Sequence, residues 1–432
     1  MHRIAGEQQV AGNGRLAGMT GFWLLAYIAL LPYQWAPAEH IRLGIADLCL
    51  FCYLLFGLAR MRVRKEAWGP WHMALVTVFA LGVLVIVLRT GTLSSYVILN
   101  KAVGLLVLLA SYWAITTEVG SWPQMRKLMR VFVLGVSFQN VFALAALLAS
   151  YLAGVSFSFM NYGNERLSGM MYDPNAYGGL LVTALAFNTV GSTGPAPVTR
   201  GLLRHLCNLT LALGVIFTFS RSTWMSLAAV WLTYLFLRPA PAMKMLAVLS
   251  AALPVLAVFI GLGLVSPQRM LNRPDTIEGR VELIDETMEQ FRKYPVLGMG
   301  LGGFREYNGI IVHNTPLWFL VDFGLVGLGV FLGFLGWTFL SGLNTYFASG
   351  AAQRPYVHAV LAANSGMLGL SMGIEAFYQR HWWLCFALIA AARLAARQAA
   401  VNRTAVPEEG PAAGPWAPQW RPAVAGIARS RR

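Results

Sequence analysis

The side chains best suited to chemistry gather between Leu264 and Asn314. That stretch holds Arg269, Arg273, Arg280, Arg292, Lys293 and Arg305, and it ends on one imidazole, His313, followed by Asn314. Apolar runs flank it on both sides. A neutral imidazole at a helix entrance can take a proton from an attacking hydroxyl, a role worth about 10²–10⁴-fold in rate. Guanidinium groups are planar, always charged, and match phosphate oxygens two at a time. Arg166 precedes Tyr172-Asp173-Pro174-Asn175, Arg221 lies in Ser220-Arg221-Ser222, Arg280 follows Glu278-Gly279, and Arg380 follows Glu375. Several converging forks of this kind would suit a diphosphate at a membrane surface. Taken singly, each arginine is equally explained by a nearby acid or by lipid headgroups.

Other chemistries lack their residues. The ligand spacing of a zinc protease, His-Glu-x-x-His, is absent. A metal-dependent transferase would show paired acids. The nearest cluster, Asp285-Glu286 and Glu289, shares one amphipathic run with Arg292 and Lys293, where helix-surface pairing explains it. No serine or cysteine elbow suggests a nucleophilic triad. The Gly-rich run Leu297-Gly-Met-Gly-Leu-Gly-Gly-Phe304 follows no strand, so it reads as a tight turn feeding His313 rather than a dinucleotide fingerprint. Cys49, Cys52, Cys207 and Cys385 fall in apolar runs and imply no disulfide framework. No metal and no cofactor are expected.

The elements that must position these residues are membrane helices. Of 432 residues 57% are hydrophobic and only 12% charged, with a mean hydropathy of +0.58, against about 25% charged in a soluble domain. The net charge of +15 forms no stripe or aromatic-interleaved patch, which excludes a nucleic-acid partner. Reading for runs of about 20 apolar residues gives about twelve spans. They lie near 18–36, 41–60, 70–88, 93–115, 127–153, 173–190, 202–219, 222–238, 245–264, 315–346, 356–374 and 381–396. The pair 202–219 and 222–238 is read as two spans with Arg221 at the surface between them. With a cytoplasmic N-terminus, each short basic cluster (Arg60 to Lys65, Arg126 to Arg130, Arg200 and Arg204, and the C-terminal set from Arg393) falls inside, as the positive-inside rule requires. His40, His313 and His381 then face outward.

The expected organisation is a cytoplasmic N-terminus at 1–17, helices over 18–264, a long periplasmic loop with amphipathic helices at 265–314, three helices over 315–396 and a disordered cytoplasmic tail at 397–432. Ala36-Pro37-Ala38 has the small-x-small pattern of a cleavage site, but the long polar leader favours a retained first span. Membrane lipids are the constant partner. The fold class is an all-α polytopic membrane protein.

In this order and topology, the motifs resemble the O-antigen ligase and polymerase superfamily of bacterial envelope glycosyltransferases. The resemblance rests on Ser220-Arg221-Ser222, Gly279-Arg280, Pro295-Val-Leu-Gly-Met-Gly-Leu-Gly, His313-Asn314 and Asp322-Phe-Gly-Leu-Val-Gly327, within about residues 160–330. It implies a glycan on undecaprenyl diphosphate as donor, in the periplasmic leaflet of the bacterial inner membrane, and for a ligase a lipid A–core oligosaccharide as acceptor. By the same resemblance His313 would be the general base, and Arg221 and Arg280, with Arg166 and Arg380, would hold the diphosphate. Asp173 and Glu375 would orient arginines, beside Asn175, Ser220 and Asn314, and attack would invert the anomeric centre without a metal. One dominant outside loop favours a ligase over a polymerase or a protein O-oligosaccharyltransferase. An organic-anion transporter, with Lys101 buried opposite Asp47, is the competitor outside glycan transfer.

Overall fold

The computed structural model describes residues 18–34, 44–57, 63–154, 157, 161–162, 166–262 and 274–404. The expectations for residues 1–17, His40, Arg269, Arg273 and the tail beyond 404 lie outside the described residues. Each apolar segment read from the sequence carries a helix over most of its described residues. The helices are α1 (Met19–Leu30), α2 (Ile45–Gly57), α3 (Pro70–Thr90), α4 (Val103–Glu118, entered through a π-helix at Tyr96–Ala102), α5 (Trp122–Ala153), α6 (Pro174–Gly191), α7 (Gly201–Phe217), α8 (Arg221–Leu237) and α9 (Pro239–Gly261). After them come α10 (Pro274–Lys293), the short α11 (Gly303–Asn308), α12 (Thr315–Ala348), α13 (Arg354–Ser371) and α14 (Arg380–Thr404). The connection before α6 carries a two-residue strand pair that the sequence reading did not include, β1 (Asn161–Tyr162) antiparallel to β2 (Arg166–Leu167).

Among the described residues six helices are long and apolar enough to cross a membrane: α3, Tyr96–Glu118, α5, α9, α12 and α14; α1, α2 and α7 are shorter apolar helices. The fold is an all-α polytopic membrane protein. The remaining apolar segments, α6, α8 and α13, pack against one another, and α6 and α13 are buried along most of their length. A helix surrounded by other helices gains nothing from a lipid-like surface, so it can carry small and polar residues. Close approach replaces greasy bulk there. A Cβ on Gly178 of α6 would stand 1.8 Å from Oγ1 of Thr223 in α8, and one on Gly373 would stand 2.1 Å from Ser222 Oγ.

Helix ends follow local chemistry. Asp173, Ser220 and Asn314 cap α6, α8 and α12, each accepting from a backbone N–H of the first turn, and Pro174 and Pro316 take early positions where no N–H is needed. The chain divides into two compact units, 1–396 and 397–432. Within the second, 397–404 complete α14 where the sequence reading begins a disordered tail. Ala395-Ala396-Arg397-Gln398-Ala399-Ala400 are strong helix formers, so propensity carries the helix past its apolar stretch.

The Gly-rich run is built into the protein. Helix α12 breaks at Gly324, which holds φ 66°, and the segment from Pro295 docks along the opened turn. Met299 N–H donates to the Val321 carbonyl at 2.8 Å, Gly300 N–H to Asp322 at 2.9 Å and Leu325 N–H to Pro295 at 2.9 Å. On its other side Leu301 N–H donates to Gly82 of α3 at 3.0 Å. Irregular backbone among membrane helices is tolerated where the protein supplies its hydrogen bonds.

Candidate active site

The N-terminal ends of α6 and α8 meet in one hydrogen-bonded knot. Asn175 is its hub: its Oδ1 accepts from Ser220 Oγ at 2.7 Å and from Arg166 Nη2 at 3.3 Å, while its Nδ2 donates to Asp173 Oδ1 at 2.9 Å. Arg166 Nε also donates to the Thr218 carbonyl at 2.9 Å. The strand pair thus brings a half-buried arginine from a loop to the mouth of two helices. Ser220 caps α8 by accepting from Thr223 N–H at 3.2 Å, which sets the exposed Arg221 in the first turn.

Among the described residues two that are not glycine adopt left-handed backbone, Tyr172 at φ 59° and Phe219 at φ 46°. Each immediately precedes a cap of this knot, Asp173 or Ser220. Such conformations cost of order 1–3 kcal/mol and persist where surrounding structure fixes them, often at functional sites. No residue type in Tyr172 or Phe219 announces this, and the sequence reading missed both.

Helix α10 and the loop before α12 complete the group. Partial burial, and then the like charge of Arg221, hold the Arg280 guanidinium below its ordinary pKa, with Asp173 acting in the opposite sense. His313 is exposed by area, yet desolvation first and the Arg280 charge second lower its pKa below the usual imidazole value, opposed by Asp173 and Glu375. These influences require proximity: Arg221, Arg280, Asp173 and His313 share one electrostatic neighbourhood. Asn314 does not enter it through its side chain. Its Oδ1 accepts from Leu317 N–H at 3.0 Å and its Nδ2 donates to the Met372 carbonyl at 3.0 Å, tying the start of α12 to the turn after α13. Thr315 adds two bonds to that turn, donating to the Ile374 carbonyl at 3.0 Å and accepting from Ala376 N–H at 2.8 Å.

Arg380 and Glu375 are placed differently from the sequence reading. Arg380 grips Asp47 of α2 with both edges of its fork, Nε to Oδ1 at 2.7 Å and Nη2 to Oδ2. Glu375 pairs with Lys101, so it does not orient Arg380, and Lys101 does not face Asp47. Lys101 also lies 4.4 Å from the Trp318 ring centroid and 4.7 Å from that of Tyr378. The exchange has a simple cause. Burial demands a partner for each charge, and sequence alone does not say which acid is nearest. His381, expected to face outward, is buried on α14.

On the acidic run of α10 one pair is of the expected kind, while Glu286 accepts from Asn308 of α11 instead. Lys293 donates to Glu289 one turn away at 2.7 Å, which lowers the carboxyl pKa and raises that of the amine. A cavity of about 790 Å³ along Glu282, Asp285, Glu286, Glu289 and Arg292 is walled by this one helix. Among the described residues no group of three His, Cys, Asp or Glu side chains could hold a metal ion. A deeper anchor is Asp322, a motif residue to which the sequence assigns no role. Asp322 accepts from Gly302 N–H at 2.8 Å, Phe304 N–H at 3.2 Å and Trp318 Nε1 at 2.7 Å, pinning the Gly-rich segment to α12. A lone acid inside an apolar span was its signal.

Fold and site together define a polytopic membrane protein with a histidine beside an arginine cluster at its helix ends. Residues 206–332, the stretch from α7 into α12, match the family model described as O-antigen ligase. The stretch includes Ser220, Arg221, Arg280, His313, Asn314 and Asp322. Members are glycosyltransferase-like enzymes of lipopolysaccharide assembly that act on lipid-linked glycans and lipid acceptors. No curated protein matches the chain.

Proposed function

We propose that the protein transfers a polysaccharide from undecaprenyl diphosphate to lipid A–core oligosaccharide, at the periplasmic face of a bacterial inner membrane that it crosses twelve times with both termini cytoplasmic. The observation that carries this reading is the electrostatic coupling of His313 to Arg280, and of Arg280 to Arg221. That coupling supports a proton acceptor beside a pair of like charges, whose mutual repulsion an anion would relieve.

The acceptor hydroxyl oxygen attacks the anomeric carbon of the lipid-linked sugar, and its proton passes to His313. The bond from that carbon to the diphosphate oxygen breaks with its electron pair, and the diphosphate leaves on the undecaprenyl chain. Arg221 and Arg280 stabilise the charge that grows on the leaving oxygen, and Arg166 orients a further phosphate oxygen. Attack opposite the leaving group inverts the anomeric centre. The lowered pKa of His313 keeps its ring neutral, as a base requires. Asp173, Asn175 and Ser220 hold the arginines, and Asn314 holds the start of α12. In this reading Arg380 fastens α14 to α2 and stands outside the clamp, and Glu375 acts with Lys101.

The test is transfer by purified protein supplied with lipid-linked glycan and lipid A–core. His313→Ala should lose about 10²–10⁴-fold in rate, and EDTA should leave the parent rate unchanged. Transfer by H313A at the parent rate overturns the base assignment. Transfer to repeat units or to protein, in place of lipid A–core, would make the protein a polymerase or a protein O-oligosaccharyltransferase, and uptake of an organic anion without glycan transfer would make it a transporter.

A further inference from the structure

A second cationic group lies along the Gly-rich segment, on residues other than Arg166, Arg221 and Arg280. Arg89, in the last turn of α3, lays its guanidinium 3.6 Å from the centroid of the Tyr294 ring. Arg305 of α11 does the same over Tyr96, at 3.7 Å. The Gly-rich segment runs between the elements that carry these pairs: Gly300 packs against Ile86 of α3, and Gly302 against Tyr96 and Val97 of the π-helix. Tyr96 lies 5.4 Å from Lys101 Nζ, Lys101 pairs with Glu375, and the Glu375 carboxylate acts on His313.

A cation near a helix C-terminus is ordinarily explained by the macrodipole. That explanation does not supply a tyrosine from a different element beneath each guanidinium, and α11 is only six residues long. Stacking uses the face of the guanidinium plane and leaves its N–H edges to other partners. Among the described residues neither the Arg89 nor the Arg305 guanidinium donates a hydrogen bond to the protein. Arg89 and Tyr294 are exposed, and so is Tyr307, two residues after Arg305. Two pre-stacked forks with open edges, beside exposed tyrosine rings, match a ligand that carries both phosphate and sugar.

We propose that the Arg89–Tyr294 and Arg305–Tyr96 pairs form a subsite for phosphate groups on the saccharide acceptor. The proposal rests on the glycan-transfer reading above for which substrate occupies the subsite. Phosphate chemistry is shared with anionic lipid headgroups, so the test must separate the two sources.

Direct binding does this without turnover. Dissociation constants for acceptor glycolipid, untreated and phosphatase-treated, are measured on the parent and on Arg89→Gln and Arg305→Gln, each in phosphatidylcholine nanodiscs and again with phosphatidylglycerol added. For the phosphorylated acceptor in phosphatidylcholine each variant should bind about tenfold more weakly, the equivalent of about 1.4 kcal/mol. For the treated acceptor, parent and variants should coincide, which also shows that the variants are folded. Equal weakening for both acceptors, or no weakening, overturns the proposal. An effect confined to phosphatidylglycerol nanodiscs assigns the pairs to lipid headgroups and overturns the acceptor assignment. A parent that binds as expected but transfers no glycan leaves this subsite standing and fails the proposed reaction instead.

Discussion

Replacing Asp322 by asparagine tests the scaffold under the site with almost no change in shape. In the parent, Oδ2 accepts from Gly302 N–H and Trp318 Nε1, and Oδ1 accepts from Phe304 N–H. Three donors pointing at both oxygens fit an ionised carboxylate, because either oxygen bearing a proton would meet a donor. In Asp322→Asn the amide oxygen can keep the two bonds at the Oδ2 position, which leaves the NH₂ facing Phe304 N–H, donor against donor. The variant loses one charge-assisted bond, worth about 1.5–3 kcal/mol, and leaves a buried N–H unsatisfied at about 1–3 kcal/mol. The expected cost is roughly 3–5 kcal/mol, since the two losses overlap little. It falls on local opening of the Gly-rich segment, because α12 keeps its own backbone bonds. At about 1.4 kcal/mol per decade, amide exchange in the peptide covering 299–305 should accelerate by roughly two to three and a half decades, read by mass spectrometry in detergent. Exchange over α13 should stay at the parent rate. Parent-like protection of Gly302 and Phe304 in D322N would refute the view that this carboxylate pins the segment.

Four further outcomes follow from the contacts of the site and its supports. His313 has a lowered pKa, so its neutral form is complete above that value and is lost as pH falls through it; the acid limb of kcat/KM should lie below the ordinary imidazole value of 6.5. Arg280→Gln removes a charge that holds the pKa down and should move that limb toward higher pH, besides slowing transfer; a limb that stays in place would separate Arg280 from His313. Asn175→Ala should slow transfer about 10–100-fold by releasing Arg166 and Ser220, about 1.4–2.7 kcal/mol in the barrier, and Asn175→Ala combined with Arg166→Ala should cost little more than Arg166→Ala, since both act through one group. Asp47→Asn should destabilise the protein by about 3–5 kcal/mol by stranding the Arg380 charge, and Asp47→Asn with Arg380→Gln should recover part of it; thermal unfolding of the three proteins in one detergent decides this.

Much of this protein is written locally in its chain. Apolar runs of membrane length must become helices, because backbone groups in lipid have no other partners. Asp173-Pro174, Ser220 and Asn314-Thr-Pro316 set helix starts from their own side chains, so the positions of Arg221 and His313 at helix ends were legible too. Arg166, Arg221, Arg280 and His313 stood out because cations outside the short basic clusters needed a reason, and the fold gathers them from a strand, two helices and a loop.

Other features were decided only by tertiary packing. Arg380 looked like a phosphate ligand and Glu375 like its orienter, yet Asp47 and Lys101 took their forks and charges. A buried ion finds whichever counter-ion the packed helices bring within reach, and that choice depends on distances across hundreds of residues. The Gly-rich run resembled a surface turn, but the break at Gly324 gave it backbone partners inside the bundle. Tyr172 and Phe219 carry left-handed backbone that no local preference would select, and only the knot around Asn175 holds them there. Sequence determined which groups could do chemistry, because ionisation and helix formation are properties of residues and their neighbours. Structure decided which of those groups share a site, because convergence is a property of the packed fold.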